Sequence, residues 1–331
     1  MTAARKLVVW DHAWAPYASH FTAHLGSGWD VVANGGDVDW LRQQIAGATA
    51  LVAVRMPPEV LADARDLSLF LFPGAGVLIT DPAAYPAGCL VVNVYEHETP
   101  IAEYVLMMML LETTRLLGYR DTFRAGRWDG SGRVGGTPHS ELSGRTVGIF
   151  GYGRIGQAIA IRARAFGMRI AALTRGATAE YAVPPDVWGG PEQLPALLRE
   201  TDFLVIAAPL TPETKGRIGA AELQLLPRHA TLINVSRAEI VDEQALYDAL
   251  EGGRLGGAAL DVWYQYPPPG ETGYGSRLPF HTLPNVICTP HYSAWSKAMI
   301  MRRIGRMCES LGRLSRGEEL ERVVLTGTWR P

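Results

Sequence analysis

Apolar runs at 7–10, 31–32, 51–54, 69–72 and 90–94 are separated by amphipathic stretches such as 40–46 and 60–64. Short apolar runs bounded by turn residues predict strands, and apolar positions three and four apart predict helices. Strands alternating with helices predict a parallel sheet covered on both faces. The alternation breaks at Thr99-Pro100, which opens a helix predicted over 101–123. Proline suits its first turn, and Glu103 sits near its positive end. Its apolar content is too continuous for a surface helix, so it is expected to pack between domains or subunits. Residues 126–144 read as a Gly/Ser-rich connector. A second series of strands follows at 146–150, 170–173, 203–207, 231–234, 257–262 and 286–288, and a terminal helix is predicted over 298–314.

Composition narrows the picture. A chain of 331 residues corresponds to about two domains. Hydrophobic residues at 47% and charged residues at 19% describe a globular protein. Lys+Arg 31 against Asp+Glu 33 leaves a net charge of −2, so no nucleic-acid partner is expected. Cys89, Cys288 and Cys308 are odd in number and far apart, which fits reduced thiols in a cytoplasm and lacks metal-ligand spacing. The run at 7–10 ends at Asp11-His12, too soon for a signal peptide. The longest apolar run, 105–111, falls well short of the ~20 residues that span a bilayer, so no membrane partner is expected.

The sharpest local motif is Gly151-Tyr152-Gly153-Arg154-Ile155-Gly156, directly after a predicted strand and opening a predicted helix. Gly151 allows the tight turn, Gly153 lets a pyrophosphate approach the backbone, and Gly156 permits close helix–strand packing. The helix N-terminus then offers free N–H groups to phosphates. With strand before and helix after, this predicts dinucleotide binding, and six strands make up a complete sheet of that type. The expected fold class is therefore α/β, with two doubly wound parallel-sheet (Rossmann-like) domains. The chain is expected to start in one domain (1–100), cross into the cofactor domain (101–297) and return (298–331).

The second strand of that domain ends Leu173-Thr174-Arg175, where a carboxylate would ordinarily receive the ribose 2′-OH of NAD. A hydroxyl and a guanidinium suit a 2′-phosphate instead, so NADP is the favoured cofactor. If Arg175 stacks on adenine, NAD fits as well.

The chain resembles the D-isomer-specific 2-hydroxyacid dehydrogenase family, which also contains formate and phosphite dehydrogenases. The resemblance covers nearly the whole length. It is carried by Leu142-Ser-Gly-Arg-Thr-Val-Gly-Ile-Phe-Gly-Tyr-Gly-Arg-Ile-Gly-Gln157, Pro209-Leu-Thr-Pro-Glu-Thr214, Leu232-Ile-Asn-Val-Ser-Arg237, Val241-Asp-Glu243, Gly257-Ala-Ala-Leu-Asp-Val262 and Thr289-Pro-His291. It implies hydride transfer between a nicotinamide and a small anionic substrate, in a cleft between the domains of a homodimer. Arg237 resembles the family's catalytic arginine, whose fork holds and polarises the substrate. His291 resembles its acid/base, for which an imidazole is suited by its pKa. Pro209, Thr214 and Val235 fall in segments that line the cofactor. Asp261 resembles the aspartate that bonds the nicotinamide carboxamide, the other reading being a strand-end cap.

One position departs. Where the family has a Glu, or a Gln, just before a proline, this chain has Tyr266 before Pro267. A carboxylate there would stabilise imidazolium, whereas a phenol orients the ring without charge. Either Gln265 or Glu271 reaches His291 through a shifted loop, or the enzyme works in oxidation with neutral imidazole as base. The Trp263-Tyr264 wording also resembles the formate-dehydrogenase branch. Tyr266 therefore points to an atypical substrate, a phosphonate or other small anion. The alternatives are an ordinary NADPH-dependent glyoxylate/hydroxypyruvate reductase and a non-catalytic, cofactor-sensing binding protein.

In the first domain, Pro73-Gly74-Ala75-Gly76 resembles the family loop whose amides hold the substrate acid, or is a plain turn. Arg55 and Met56 either line the same cleft or are a surface arginine and a packed methionine. Trp295 either walls the pocket or lies in the core. The three methionines at 107–109 are expected to pack rather than bind.

Overall fold

The apolar runs fold as strands because each can be buried on both faces of a sheet. The computed structural model describes residues 4–75, 81–174, 181–268 and 270–330. In chain order the first strands are β1 (Arg5–Trp10), β2 (Trp29–Asn34), β3 (Ala50–Val52), β4 (Leu69–Phe72) and β5 (Leu90–Asn93). They are followed by β6 (Thr146–Phe150), β7 (Arg169–Leu173), β8 (Val187–Gly189), β9 (Phe203–Ile206), β10 (Thr231–Asn234), β11 (Gly257–Leu260), β12 (Val286–Cys288) and β13 (Val323–Thr326). The α-helices are α1 (Ala18–Leu25), α2 (Val38–Ile45), α3 (Glu98–Thr114), α4 (Leu116–Arg124) and α5 (Arg154–Ala165). After them come α6 (Leu194–Arg199), α7 (Ala220–Leu225), α8 (Glu243–Glu251) and α9 (Lys297–Arg316). The chain divides into two units: Met1–Glu96 with Lys297–Pro331, and His97–Ser296.

In the first unit the strands lie in the order β13-β5-β4-β3-β1-β2, parallel except for β13, which pairs antiparallel with β5. Alternate side chains feed opposite faces. Leu7 and Val9 join one core with Phe21, Leu69 and Leu71, while Val8 and Trp10 join the other with Leu41, Ile45 and Phe70. A strand buried on both faces reads as a continuous apolar run, which is why these were legible. Helix α9 covers one face with Met299, Ile300, Ile304, Met307 and Leu311, a helical stripe. The amphipathic stretch at 60–64 forms a 3-10 helix, Pro58–Asp63, rather than an α-helix.

In the second unit all strands are parallel, in the order β12-β11-β10-β9-β6-β7-β8. This is one strand more than the six expected. The additional strand, β8, is short and leaves Val187 and Trp188 exposed, so it carries no apolar run to read. Both sheets are therefore doubly wound and Rossmann-like. The strand order reverses between β6 and β9, the topological switch point at which such sheets bind ligands.

The single helix expected over 101–123 is two helices. It starts at Glu98, and Arg115 breaks it with a left-handed φ of 52°. The hydroxyls of Thr113 and Thr114 bond back to the carbonyls of Met109 and Leu110, competing with the ladder just before the break. Met108 and Met109 are buried, whereas Met107 is exposed. Among the described residues, no helix is long and apolar enough to cross a membrane.

Candidate active site

The glycine motif sits between β6 and α5, and its glycines do three different jobs. Gly151 has a φ of 106°, and a Cβ there would collide with the backbone of Ala208, just past β9. A Cβ on Gly156 would strike the carbonyl oxygen of Gly151, so only glycine lets α5 pack this close. At Gly153 a Cβ would meet nothing within 4 Å, which leaves open space at the helix start. Gly153, at the N-cap of α5, has no side chain with which to cap the helix. An uncapped helix of this length behind an open glycine fits a pyrophosphate. Arg154 is exposed and lies 3.8 Å from Glu98, and Ile155 packs against the core.

The neighbouring loops are held by local bonds. Thr214 donates its hydroxyl to the carbonyl of Pro209 at 2.7 Å and accepts from the amide of Thr211 at 2.8 Å, shaping the loop after β9. Val235 is buried at the end of β10. Thr174 follows β7, its amide bonded to Gly189 at 3.0 Å. Arg175 and Gly76 lie outside the described residues.

His291 occupies a strained turn. Its φ of 55° is left-handed, a conformation that costs a non-glycine residue about 1–2 kcal/mol and persists only where surroundings enforce it. The enforcement comes mainly from Asp261, at the end of β11 and 1% exposed. Its Oδ1 accepts from the Thr289 hydroxyl at 2.6 Å and the Tyr292 amide at 2.9 Å, and its Oδ2 accepts from the Ser293 amide at 3.0 Å. The Trp263 indole donates to the carbonyl of Thr289 at 2.9 Å. Asp261 thus binds both flanks of the catalytic candidate.

Tyr266 is the partner of the imidazole, rather than Gln265 or Glu271. Its phenol oxygen lies 2.8 Å from Nδ1 of His291 and accepts the amide of Trp263 at 3.2 Å. Gly275, with φ 74°, lies flat against the Trp263 ring, where a Cβ would not fit, and its carbonyl takes the amide of Gln265 at 2.9 Å. That arrangement ties the loop back and brings Tyr266 to His291. Burial of the ring lowers the pKa of His291, and the positive charge of Arg237 lowers it further against the opposing pull of Asp261. Burial raises that of Tyr266, which therefore stays a neutral phenol. Arg237 follows β10, half-buried, with Nη1 donating to the carbonyl of Ser236 at 2.8 Å. The carbonyl of Arg237 accepts from the side chain of Asn234 at 3.0 Å.

Five further candidates have these positions. Trp295 is exposed, with its amide bonded to Tyr292 at 2.8 Å. In the first unit, Met56 is 7% exposed and packs in the core, while Arg55 is exposed with its guanidinium 5.9 Å from the Trp10 ring. Gly74 and Ala75 follow β4, their carbonyls taking the amide of Val94 at 3.0 Å and the side chain of Asn93 at 3.3 Å.

Sequence reasoning did not single out Arg303 or Tyr104, and it read Trp263 only as part of the Trp263-Tyr264 wording, not as a donor to the carbonyl of Thr289. Arg303 is 8% exposed and donates to the carbonyls of Tyr95 at 2.7 Å and Pro73 at 2.9 Å. A charged residue on the apolar stripe of α9 was its available signal.

Residues 106–293 match the family model for the NAD binding domain of D-isomer specific 2-hydroxyacid dehydrogenases. Glycerate dehydrogenase of Methylorubrum extorquens is 35% identical over 265 residues, across 79% of this chain and 80% of its own. A D-isomer specific 2-hydroxyacid dehydrogenase family protein from Aeromonas salmonicida matches with a TM-score of 0.82 and 27% identity, over 98% of this chain and 99% of that one. An NADPH-dependent glyoxylate/hydroxypyruvate reductase from Sinorhizobium meliloti, solved with NADP and sulfate, matches with a TM-score of 0.77 and 26% identity, over 97% and 98% of the two chains. The strained histidine, its phenol partner and the glycine cradle thus belong to a member of the D-isomer specific 2-hydroxyacid dehydrogenase family, an NAD(P)-dependent oxidoreductase acting on the CH–OH group of hydroxy acids.

Proposed function

We propose that the enzyme moves a hydride between NADP and the carbinol carbon of a small anionic 2-hydroxy acid, with Arg237 binding the substrate and His291 handling the proton. The bound nicotinamide supplies the hydride in reduction and accepts it in oxidation. The fork of Arg237 suits a carboxylate or a carbonyl oxygen. Tyr266 occupies Nδ1 of His291, which leaves Nε2 as the working nitrogen. In reduction a protonated ring gives its Nε2 proton to the developing alkoxide; in oxidation a neutral ring takes the hydroxyl proton. The observation that carries this reading is the 2.8 Å bond between Tyr266 and His291, in the same unit as the glycine cradle and Arg237.

A carboxylate at Nδ1 would stabilise imidazolium by its charge, whereas the phenol oxygen accepts from an Nδ1–H without charge, which leaves Nε2 bare as the base in oxidation and protonated as the acid in reduction. The site therefore favours neutral imidazole at neutral pH, and reduction is strongest in acid. NADP preference is supported by Thr174-Arg175 standing where an acid would repel a 2′-phosphate. Met107, Leu110, Leu116, Leu117 and Phe123, on α3 and α4, are exposed and support a homodimer through this unit. The thiols of Cys89, Cys288 and Cys308 are unpaired, which supports a cytoplasmic location.

Steady-state assays with NADPH and NADH over glyoxylate, hydroxypyruvate, glycerate and a phosphonate test the reading across a pH series. Turnover of the short keto acids, faster with NADPH and falling as pH rises, is expected. A second reading, a phosphonate or related anion as substrate, is favoured by Tyr266 standing where an acid is expected, and it wins if only that compound turns over. Tight NADPH binding with no turnover at all would leave a cofactor-sensing protein.

A further inference from the structure

We propose that Tyr104 is a positioning residue for His291, acting through the hydroxyl of Thr289 and the carboxylate of Asp261. This rests on His291 being the acid/base. Tyr104 lies on α3, 4% exposed, with its phenol oxygen 2.8 Å from Oγ1 of Thr289. The proton order along this chain follows from the chemistry of its last member. An ionised carboxylate only accepts, so the Thr289 hydroxyl donates to Oδ1 of Asp261 at 2.6 Å. The Thr289 oxygen must then accept at Tyr104, so Tyr104 is the donor. Burial raises the pKa of Tyr104, which keeps the hydroxyl protonated throughout the working range.

This contact constrains the left-handed turn on both flanks. Thr289 stands two residues before His291, and its carbonyl accepts the His291 amide at 3.1 Å. Tyr292 stands immediately after His291, and its ring meets the Tyr104 ring edge-on, with centroids 5.9 Å apart at 87°. Without the Tyr104 hydroxyl, the Thr289 hydroxyl is free to swing toward the carbonyl of Leu260, which already lies 3.5 Å away. Asp261 would then hold the turn by its two backbone amides alone. A polar tip inside an otherwise apolar stretch of helix thus helps to hold the imidazole in its strained geometry. Small misplacements of an acid/base are costly in rate even when binding is intact.

The test is a cycle of Tyr104→Phe, Thr289→Val and the double variant, with Thr289→Ser as the conservative control. Tyr104→Phe keeps the ring and its contact with Tyr292 while deleting the hydroxyl. Each single variant should lower kcat about tenfold, the effect of one lost hydrogen bond, with the Kd for NADPH unchanged. The double should be no worse than either single, because both remove the same link. Thr289→Ser should retain kcat. Nitrogen-15 NMR of the His291 ring reads the geometry independently of turnover: the distinct Nδ1 and Nε2 signals of the wild type should broaden or converge in Tyr104→Phe. Unchanged kcat together with an unchanged ring spectrum overturns the proposal, as do losses that add in the double and track a falling Tm. A changed ring spectrum in an enzyme that turns over no hydroxy acid upholds the positioning role while the proposed function falls. If Tyr104→Phe does not fold, Thr289→Val against Thr289→Ser decides the matter by the same readouts.

Discussion

Replacing Tyr266 by glutamate puts a negative charge beside an imidazole that the fold otherwise keeps neutral. The phenol oxygen lies 2.8 Å from Nδ1, and glutamate is the shorter side chain, so the new pair is taken as close but not hydrogen-bonded. Two unit charges ~5–6 Å apart attract by roughly 3 kcal/mol at an effective dielectric of ~20, and by under ~1 kcal/mol in bulk water. Tyr266 is 53% exposed, so solvent screens much of this, and about 1.5 kcal/mol is a reasonable middle value. That corresponds to a rise of about one pKa unit for His291. Burial and Arg237 hold the pKa below the ordinary histidine value in the native enzyme, against the opposing charge of Asp261. The acid form is therefore present only below that lowered pKa, and reduction is lost as pH rises through it. In Tyr266→Glu the reduction limb should move to higher pH by about one unit, giving roughly tenfold faster reduction above both pKa values and little change well below them. The oxidation limb, which needs neutral imidazole, should move the same way, so oxidation weakens in acid. The assay is kcat/KM for a short keto acid with NADPH, and for the hydroxy acid with NADP, across pH. A reduction limb that stays where it is would show that the group titrating there is not His291.

The glycines of the cradle should separate stability from binding. Gly156→Ala, which drives a methyl into the Gly151 carbonyl, should lower stability by about 1–3 kcal/mol in thermal unfolding. Gly153→Ala, facing open space, should leave Tm unchanged and raise the Kd for NADPH at least about tenfold by titration. Arg175→Ala should raise KM for NADPH by about tenfold or more and leave NADH untouched, and equal effects on both would remove the case for a 2′-phosphate contact. Phe123→Asp with Leu116→Asp should shift the sedimentation of the protein to that of a monomer, and an unchanged value would place any self-association elsewhere.

Much of this molecule was written locally. Eleven of the thirteen described strands were legible because parallel sheets bury both faces and so demand continuous apolar runs. The glycine motif was legible because its requirements are backbone requirements: a left-handed φ at Gly151, open space at Gly153, close packing at Gly156. Tyr266 could be recognised as a departure from an acid. The edge strands β8 and β13 escaped notice because they are short and mostly unburied, so no apolar run marks them. The break at Arg115 was hidden because no glycine or proline stands at it and the chain is helical on either side.

The tertiary structure alone decided which groups meet. Tyr266 reaches His291 across 25 residues, Asp261 reaches Thr289 across 28, and Tyr104 reaches Thr289 across 185. It also showed that the carboxylate of Asp261 braces the His291 turn, where the sequence alone allowed either a cofactor contact or a strand-end cap. Periodicity and glycine geometry constrain neighbouring residues and are therefore readable along the chain. A side-chain hydrogen bond constrains only two atoms, and folding brings those atoms together without leaving a signal in the residues between them.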